Sequence, residues 1–215
     1  YWLYKKMFYK KNQSKKLNKQ LFFNPTSEYR GTPFWAWNCK MDIEILDEQI
    51  EYLNEMGFGG FHMHSRTGMA VPYLGEEFMN LVKFCTNKAK SINMLAYLYD
   101  EDRWPSGTAG GFVTRNPRYR ARYIEFSLNK ESHFPMEEAL NEGKPYLLCV
   151  FDIVLNENGE LLRYQHISPN DKPLGTKWYV YVKTPEESPW FNNQTYVDTL
   201  SKEAVDEFIK ITYNA

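Results

Sequence analysis

Met94-Leu-Ala-Tyr-Leu-Tyr-Asp-Glu-Asp-Arg-Trp-Pro-Ser-Gly-Thr-Ala-Gly-Gly111 opens as a short apolar run and ends abruptly in charge. Met94 to Tyr99 has the length and aromatic content of a buried strand. Asp100, Glu101 and Asp102 follow at once, then Arg103 and Trp104. Pro105-Ser106-Gly107 is a turn signal, and Gly110-Gly111 permits close backbone approach. Acids, an arginine and a tryptophan beyond the C-terminal end of a buried strand suggest a sugar-binding or catalytic rim. The stretch alone equally allows a solvated acidic loop with one structural tryptophan.

The sequence before it supplies strands and helices in alternation. Phe34-Trp35-Ala36-Trp37-Asn38 reads as a first strand, with Phe34, Ala36 and Asn38 on one face and the two tryptophans on the other. Asp42 can cap a helix whose apolar positions Ile43, Leu46, Ile50, Leu53 and Met56 recur at helical spacing, and Gly57 ends it. Gly59 to Ser65 is a second strand. A second helix begins near Gly75 or Glu76 and puts Phe78, Leu81, Val82, Cys85, Ala89 and Ile92 on one side. This alternation, with short connections, is the pattern of a parallel sheet with right-handed crossovers. The polar residues gather after the strands, where the sites of barrels and open α/β sheets lie.

Near Arg118 the pattern changes. Segments 122–128, 145–155, 161–167 and 177–183 read as strands without intervening helices. Asn156-Glu157-Asn158-Gly159 is a hairpin turn. Gln194 to Thr199 then reads as a short strand, and Ser201 caps a helix reaching Tyr213. The expected fold is α/β: a partial (β/α)8 TIM-type barrel of about four βα units with an antiparallel β insertion. Residues 1–21 form a basic, poorly ordered arm, 22–121 the first βα units, 122–185 the insertion and 186–215 a further βα unit. A full barrel takes about 250 residues. The reading therefore predicts the N-terminal part of a longer chain, to be completed by the missing half of the barrel or by self-association. Met7 is the natural start in this reading.

Composition excludes several classes. The 215 residues carry a net charge of −1, which argues for neither nucleic acid nor a membrane surface as partner. Residues 1–20 hold seven lysines and no acid, and the simplest account is a solubilising terminus. No apolar run approaches the roughly 18 residues of a membrane span, and no signal-peptide core follows Met7. Cys39, Cys85 and Cys149 are odd in number and widely spaced, so they form neither a disulfide framework nor a metal pattern. The expected compartment is the cytoplasm. Sixteen tyrosines and six tryptophans suit a core plus a stacking surface for an amphipathic ligand.

Several residues can carry chemistry. His62 and His64 are two apart on one strand and face the same way. They can hydrogen-bond ligand hydroxyls, begin a divalent-metal site, or sit as structural histidines. Arg66 can hold a ligand oxygen or pair with Asp100 or Asp102. If the strand continues, Asp100 and Asp102 share a face at roughly 6–7 Å. Glycoside cleavage by paired carboxylates needs about 5 Å or 6.5–9.5 Å between them. Two carboxylates on one strand approach a substrate from one side, so a partner is expected from another strand. Asp198 is that candidate, with a helix-capping role as its alternative. Trp35, Trp37 and Trp104 are stacking candidates that the core can equally claim. Gly107-Thr-Ala-Gly-Gly111 lacks the Lys-Ser/Thr of a phosphate loop.

Pro33-Phe-Trp-Ala-Trp-Asn38, Gln49, Met56-Gly-Phe-Gly-Gly-Phe-His-Met-His-Ser-Arg66, Tyr73-Leu-Gly-Glu-Glu-Phe78 and Leu98-Tyr-Asp-Glu-Asp-Arg-Trp-Pro-Ser-Gly-Thr-Ala-Gly-Gly111 occur in that order. Together they resemble the N-terminal part of bacterial glycoside hydrolases related to the α-L-rhamnosidases of family 106. The likeness spans about residues 22–122 and, more loosely, Tyr196 to Leu200. It implies an interrupted (β/α)8 catalytic barrel and hydrolysis of a terminal deoxysugar such as α-L-rhamnose, with inversion. It also implies two catalytic glutamates and calcium. On this reading His62, His64, Arg66 and Asp100, with Asn38 and Asp198, bind substrate. Glu101 and Asp102 are the catalytic candidates, and Trp35, Trp37 and Trp104 shape the pocket. The rival readings are a carbohydrate-binding or degenerate fragment without turnover, and a metal-dependent hydrolase built on His62 and His64.

Overall fold

A computed structural model describes residues 15–214. Lysines 5, 6, 10 and 11 of the expected arm lie outside the described residues. The chain divides into two compact units, Tyr1–Arg103 and Trp104–Ala215.

The first unit opens with a short helix, α1 (Lys19–Phe23), capped by the Asn18 side chain, which accepts from the amides of Gln20 and Leu21. Then β1 (Phe34–Trp37), α2 (Ile43–Glu55), β2 (Gly60–Ser65), α3 (Glu76–Ser91) and β3 (Leu95–Leu98) alternate. The Asp42 carboxylate caps α2 by accepting from the Glu44 amide at 3.0 Å. Gly75 precedes α3, whose first turn carries Glu76 and Glu77 and whose last carries Lys88 and Lys90, as the helix dipole favours. The three strands are parallel in the order β1-β2-β3. Glycine is required where β2 starts: a Cβ on Gly60 would stand 2.3 Å from the Leu95 carbonyl oxygen.

The helices cover one face of this sheet. Leu46 and Ile50 of α2 and Phe78, Leu81, Cys85 and Ala89 of α3 meet Trp37, Phe61 and Met63 in one buried cluster. Each large apolar side chain fully buried there contributes about 1.5–3 kcal/mol. Lys88 of α3 bridges Asp47 and Glu51 of α2 at 2.9 and 2.6 Å and ties the helices together at their surface.

The second unit holds β4 (Tyr123–Ser127), α4 (Met136–Glu142), β5 (Tyr146–Leu155), β6 (Leu161–Ile167), β7 (Thr176–Lys183) and α5 (Lys202–Tyr213). Its sheet is antiparallel in the order β4-β7-β5-β6. Asn156 shapes the β5–β6 hairpin, its side chain accepting from the amides of Asn158 and Glu160, and Gly159 takes φ 79°. Asp152 on β5 is 2% exposed and accepts from the amides of Leu174 and Gly175 and from Arg163. Ser201 caps α5 by accepting from the Ala204 amide. Ala109, Val113, Val197 and Ala204 form a separate small core.

The expected partial TIM-type barrel is not formed. The parallel sheet stops at three strands, and the remaining four belong to a separate antiparallel sheet. The segment 194–199, expected as a fourth barrel strand, makes only isolated antiparallel bridges, Arg120 with Val197 and Ser188 with Gln194. Its side chains are used instead to fasten the 104–114 turn: the Tyr196 hydroxyl donates to the Ser106 carbonyl and Thr114 donates to Gln194. Gly107 is needed there, since a Cβ on it would stand 2.5 Å from Val197. Helix α4 also falls where only strands were expected. No helix among the described residues is long and apolar enough to cross a membrane.

Candidate functional site

Strand β2 sorts its side chains by alternation. Phe61 and Met63 enter the helix-side core, at 0% and 1% exposure, so His62 and His64 point to the other face. The parallel register sets Phe34 of β1 and Tyr97 of β3 on either side of His62, and Ala36 beside His64. Tyr99 extends the ladder, its amide donating to the Met63 carbonyl at 3.0 Å. The result is a face of Phe34, Ala36, His62, His64, Tyr97 and Tyr99. The His62 and Tyr97 rings meet edge to face at 4.6 Å. His64 lies flat on Tyr99 at 3.8 Å, with Phe34 at 4.6 Å from it.

His64 is oriented by its backbone. Nδ1 lies 3.0 Å from the Ser65 carbonyl oxygen. A carbonyl only accepts, so Nδ1 carries the proton and Nε2 of the neutral ring keeps its lone pair. Burial pushes the His64 pKa down, and the charges of Arg66 and His62 add to this; the Ser65 carbonyl and Asp100 oppose it. The ring is therefore neutral at pH 7 and offers an acceptor.

The C-terminal ends of parallel strands share one edge, which brings Arg66 after β2 together with Asp100, Glu101 and Asp102 after β3. The strand does not continue through the acids. Residues 100–105 bend, so the face-sharing expected of Asp100 and Asp102 does not arise. Glu101 turns inward to 1% exposure and its Oε1 accepts from the Asp102 amide at 2.9 Å. Asp102 lies 3.5 Å from the Arg103 guanidinium. Tyr73, in the connection from β2 to α3, is also buried near these acids. Burial raises its pKa most, followed by Glu101, Asp100 and Asp102.

The other expected site residues are placed differently. Trp37 is 1% exposed in the helix-side core, and Trp35 packs against that core with Nε1 donating to Gln49 at 2.8 Å. Both lie on the face opposite His62 and His64, where they pack α2 and α3 instead of lining that face. Asn38 is exposed beyond β1, and its carbonyl is approached closely by Gly68. In the second unit, the exposed Trp104 accepts from Trp190 Nε1 through its carbonyl. Asp198 caps the turn before α5, accepting from the Leu200 amide and lying 3.5 Å from Arg122.

Sequence reasoning missed Tyr97, Tyr99 and Tyr73. Alternation gives the direction of Tyr97 and Tyr99, but only the register shows which histidine each one meets. The donors do not fit a metal. Among the described residues no group of three or more His, Cys, Asp or Glu side chains is placed to hold a metal ion. A zinc site takes three or four ligands and calcium six to eight oxygens. A groove of about 850 Å³ lies elsewhere, lined by Met41, Asp42, Ile43, Glu76, Asn80 and Leu81. It holds none of the candidate residues.

No protein family profile matches the chain, and no curated protein matches it in sequence. Among solved structures it is similar to a rhamnosidase from Novosphingobium sp. PP1Y, at 15% identity and a TM-score of 0.42. The match covers 67% of this chain and 17% of that one, so the chain spans about a sixth of that enzyme's length. At that score the likeness settles neither fold nor function.

Proposed function

We propose that the first unit carries a carbohydrate site and that the protein is a glycoside hydrolase acting on a terminal deoxysugar such as α-L-rhamnose. One observation carries the reading. On one sheet face, aromatic rings flank a neutral imidazole acceptor, and the adjoining strand ends carry an arginine, Arg66, and a buried glutamate, Glu101. Sugars present both apolar C–H patches and hydroxyls, and such a face can serve both. Phe34, Tyr97 and Tyr99 supply ring surface. His64 Nε2 accepts from a hydroxyl and Arg66 donates to one. Glu101 is the carboxylate assigned to proton transfer, and the ordered motifs of the sequence support the choice of sugar. A second carboxylate is required for inverting hydrolysis.

The pairing of Asp102 with Arg103 favours a second reading, in which the site binds sugar without turning it over. Hydrolysis of a panel of aryl glycosides, α-L-rhamnoside included, separates the two. The hydrolase reading expects release of aryl alcohol that falls at least about 10²-fold in Glu101→Gln. The anomer first released, read by NMR, reports inversion. Binding of the same glycosides without release establishes the second reading and removes the catalytic role of Glu101.

A further inference from the structure

The lysine-rich start of the chain has no part in either reading. Lys5-Lys6, Lys10-Lys11 and Lys15-Lys16 recur every five residues, and apolar residues stand between and after them: Met7, Phe8, Leu17, Phe22 and Phe23. All 27 acidic residues lie beyond Phe23. The net charge of −1 therefore conceals a division between a basic start and an acidic remainder.

The described part of this stretch leaves its apolar side chains uncovered. None of the five residues of α1 is buried. Leu17, Phe22 and Phe23 are 76%, 67% and 75% exposed, and the two phenylalanine rings meet edge to face at 5.6 Å. Leu17, Leu21, Phe22 and Tyr29 line a groove of about 550 Å³, with Lys15 and Lys16 beside them. A terminus that serves solubility alone has no use for adjacent exposed phenylalanines. Exposed apolar surface rimmed by one sign of charge marks an interaction site.

The mixture selects the partner. At the surface of an anionic bilayer the phosphates lie just above the acyl carbons. A lysine stem can rest among those carbons and raise its ammonium to the phosphates, while a neighbouring phenylalanine or leucine enters the apolar layer. Charge and apolar burial are the two signals that together hold a chain on such a surface. Single-stranded nucleic acid also takes lysines and rings. It offers nothing in which Leu17 and Leu21 could be buried, and the stretch has no arginine before Arg30.

We propose that residues 15–23 form a docking surface for an anionic lipid bilayer, with Leu17, Phe22 and Phe23 entering the apolar layer and the lysines holding the phosphates. The lysines earlier in the sequence add to the attraction. The Ser27 hydroxyl donates to the Asn93 carbonyl ahead of β3, so this segment joins the sheet at the end opposite Arg66 and Glu101. Docking there leaves the carbohydrate site open.

Flotation of the full chain tests this, with vesicles of phosphatidylcholine carrying about 30% phosphatidylserine set against vesicles of phosphatidylcholine alone. Partitioning onto the anionic vesicles should be at least about tenfold stronger and should fall as salt rises. Phe22→Ser combined with Phe23→Ser should weaken it at least about tenfold. Lys15→Gln combined with Lys16→Gln should weaken it about tenfold. These side chains are exposed, so thermal melts of both variants should match the unmodified chain. Equal partitioning onto the two kinds of vesicle overturns the proposal, as does equal partitioning of the phenylalanine variant and the unmodified chain. Binding of an oligothymidylate with retention by neither vesicle also overturns it and makes the stretch a nucleic-acid arm. The carbohydrate reading is independent of each of these outcomes.

Discussion

His64 lies flat on Tyr99, ring centroids 3.8 Å apart and planes 14° from parallel. The contact joins the end of β2 to the residue after β3, so it braces the strand ends that present Arg66 and Glu101. Tyr99→Leu keeps bulk and removes the stack. It is expected to cost about 0.5–1.5 kcal/mol beyond the area lost. Urea denaturation measures that cost, and glycoside affinity should fall with it.

The same histidine gives the fold a pH dependence. Its pKa is depressed in the folded chain, first by burial, so the unfolded chain binds the proton more readily. The contribution of His64 is therefore fully present above the ordinary histidine value near 6.5. It is lost as pH falls through the lower folded value. The denaturation midpoint should drop between pH 7.5 and pH 5 in the unmodified chain, and drop less in His64→Gln. Equal drops would contradict the assignment.

Asp152 makes the corresponding case in the second unit. The Gly175 and Leu174 amides and Arg163 hold its carboxyl below the usual aspartate range. Its contribution is present above the unfolded pKa and is lost as pH falls through the folded one. Asp152→Asn should lower the melting temperature at pH 6, and the difference should be smaller at pH 3, because the contribution is lost as pH falls. Calorimetry at the two pH values checks this.

Much of the first unit is legible in the sequence. The apolar spacing of Leu46, Ile50 and Leu53, with Asp42 before it, places the start of α2, because cap and stripe are local signals, while Ile43 and Met56 of the expected stripe are exposed and the helix ends at Glu55. The number of strands in a sheet is not local. Tyr196 and Val197 have strand chemistry, but their partners lie in the 104–120 segment, and no pattern within 194–199 reveals that. Helix α4 carried a readable signal that its strand-rich surroundings obscured: Pro135, Glu137 and Glu138 at the start, and Gly143 in the left-handed conformation at the end. In the site, period two placed His62 and His64 on one face correctly. It could not show that Trp35 and Trp37 would be taken by the core, since both faces of a parallel strand can be apolar.

Packing between β2 and β3 yields a stability prediction independent of any ligand. The Cβ of Gly60→Ala would stand 2.3 Å from the Leu95 carbonyl oxygen, so the strands must separate. The cost should reach about 1–3 kcal/mol, as for an overpacked core. Phe78→Ala, which empties the contact with Trp37 and Tyr73, should cost about 3–5 kcal/mol. Denaturant titration measures both.

The most direct test of the proposed carbohydrate site is aromatic NMR of the full chain, labelled at histidine and tyrosine rings, titrated with methyl α-L-rhamnopyranoside. The account predicts saturable shifts of the His62, His64, Tyr97 and Tyr99 ring signals, while His133 and His166 of the second unit stay still. Rings of the β2–β3 face that remain unmoved up to saturating glycoside, whether or not other signals shift, would contradict it.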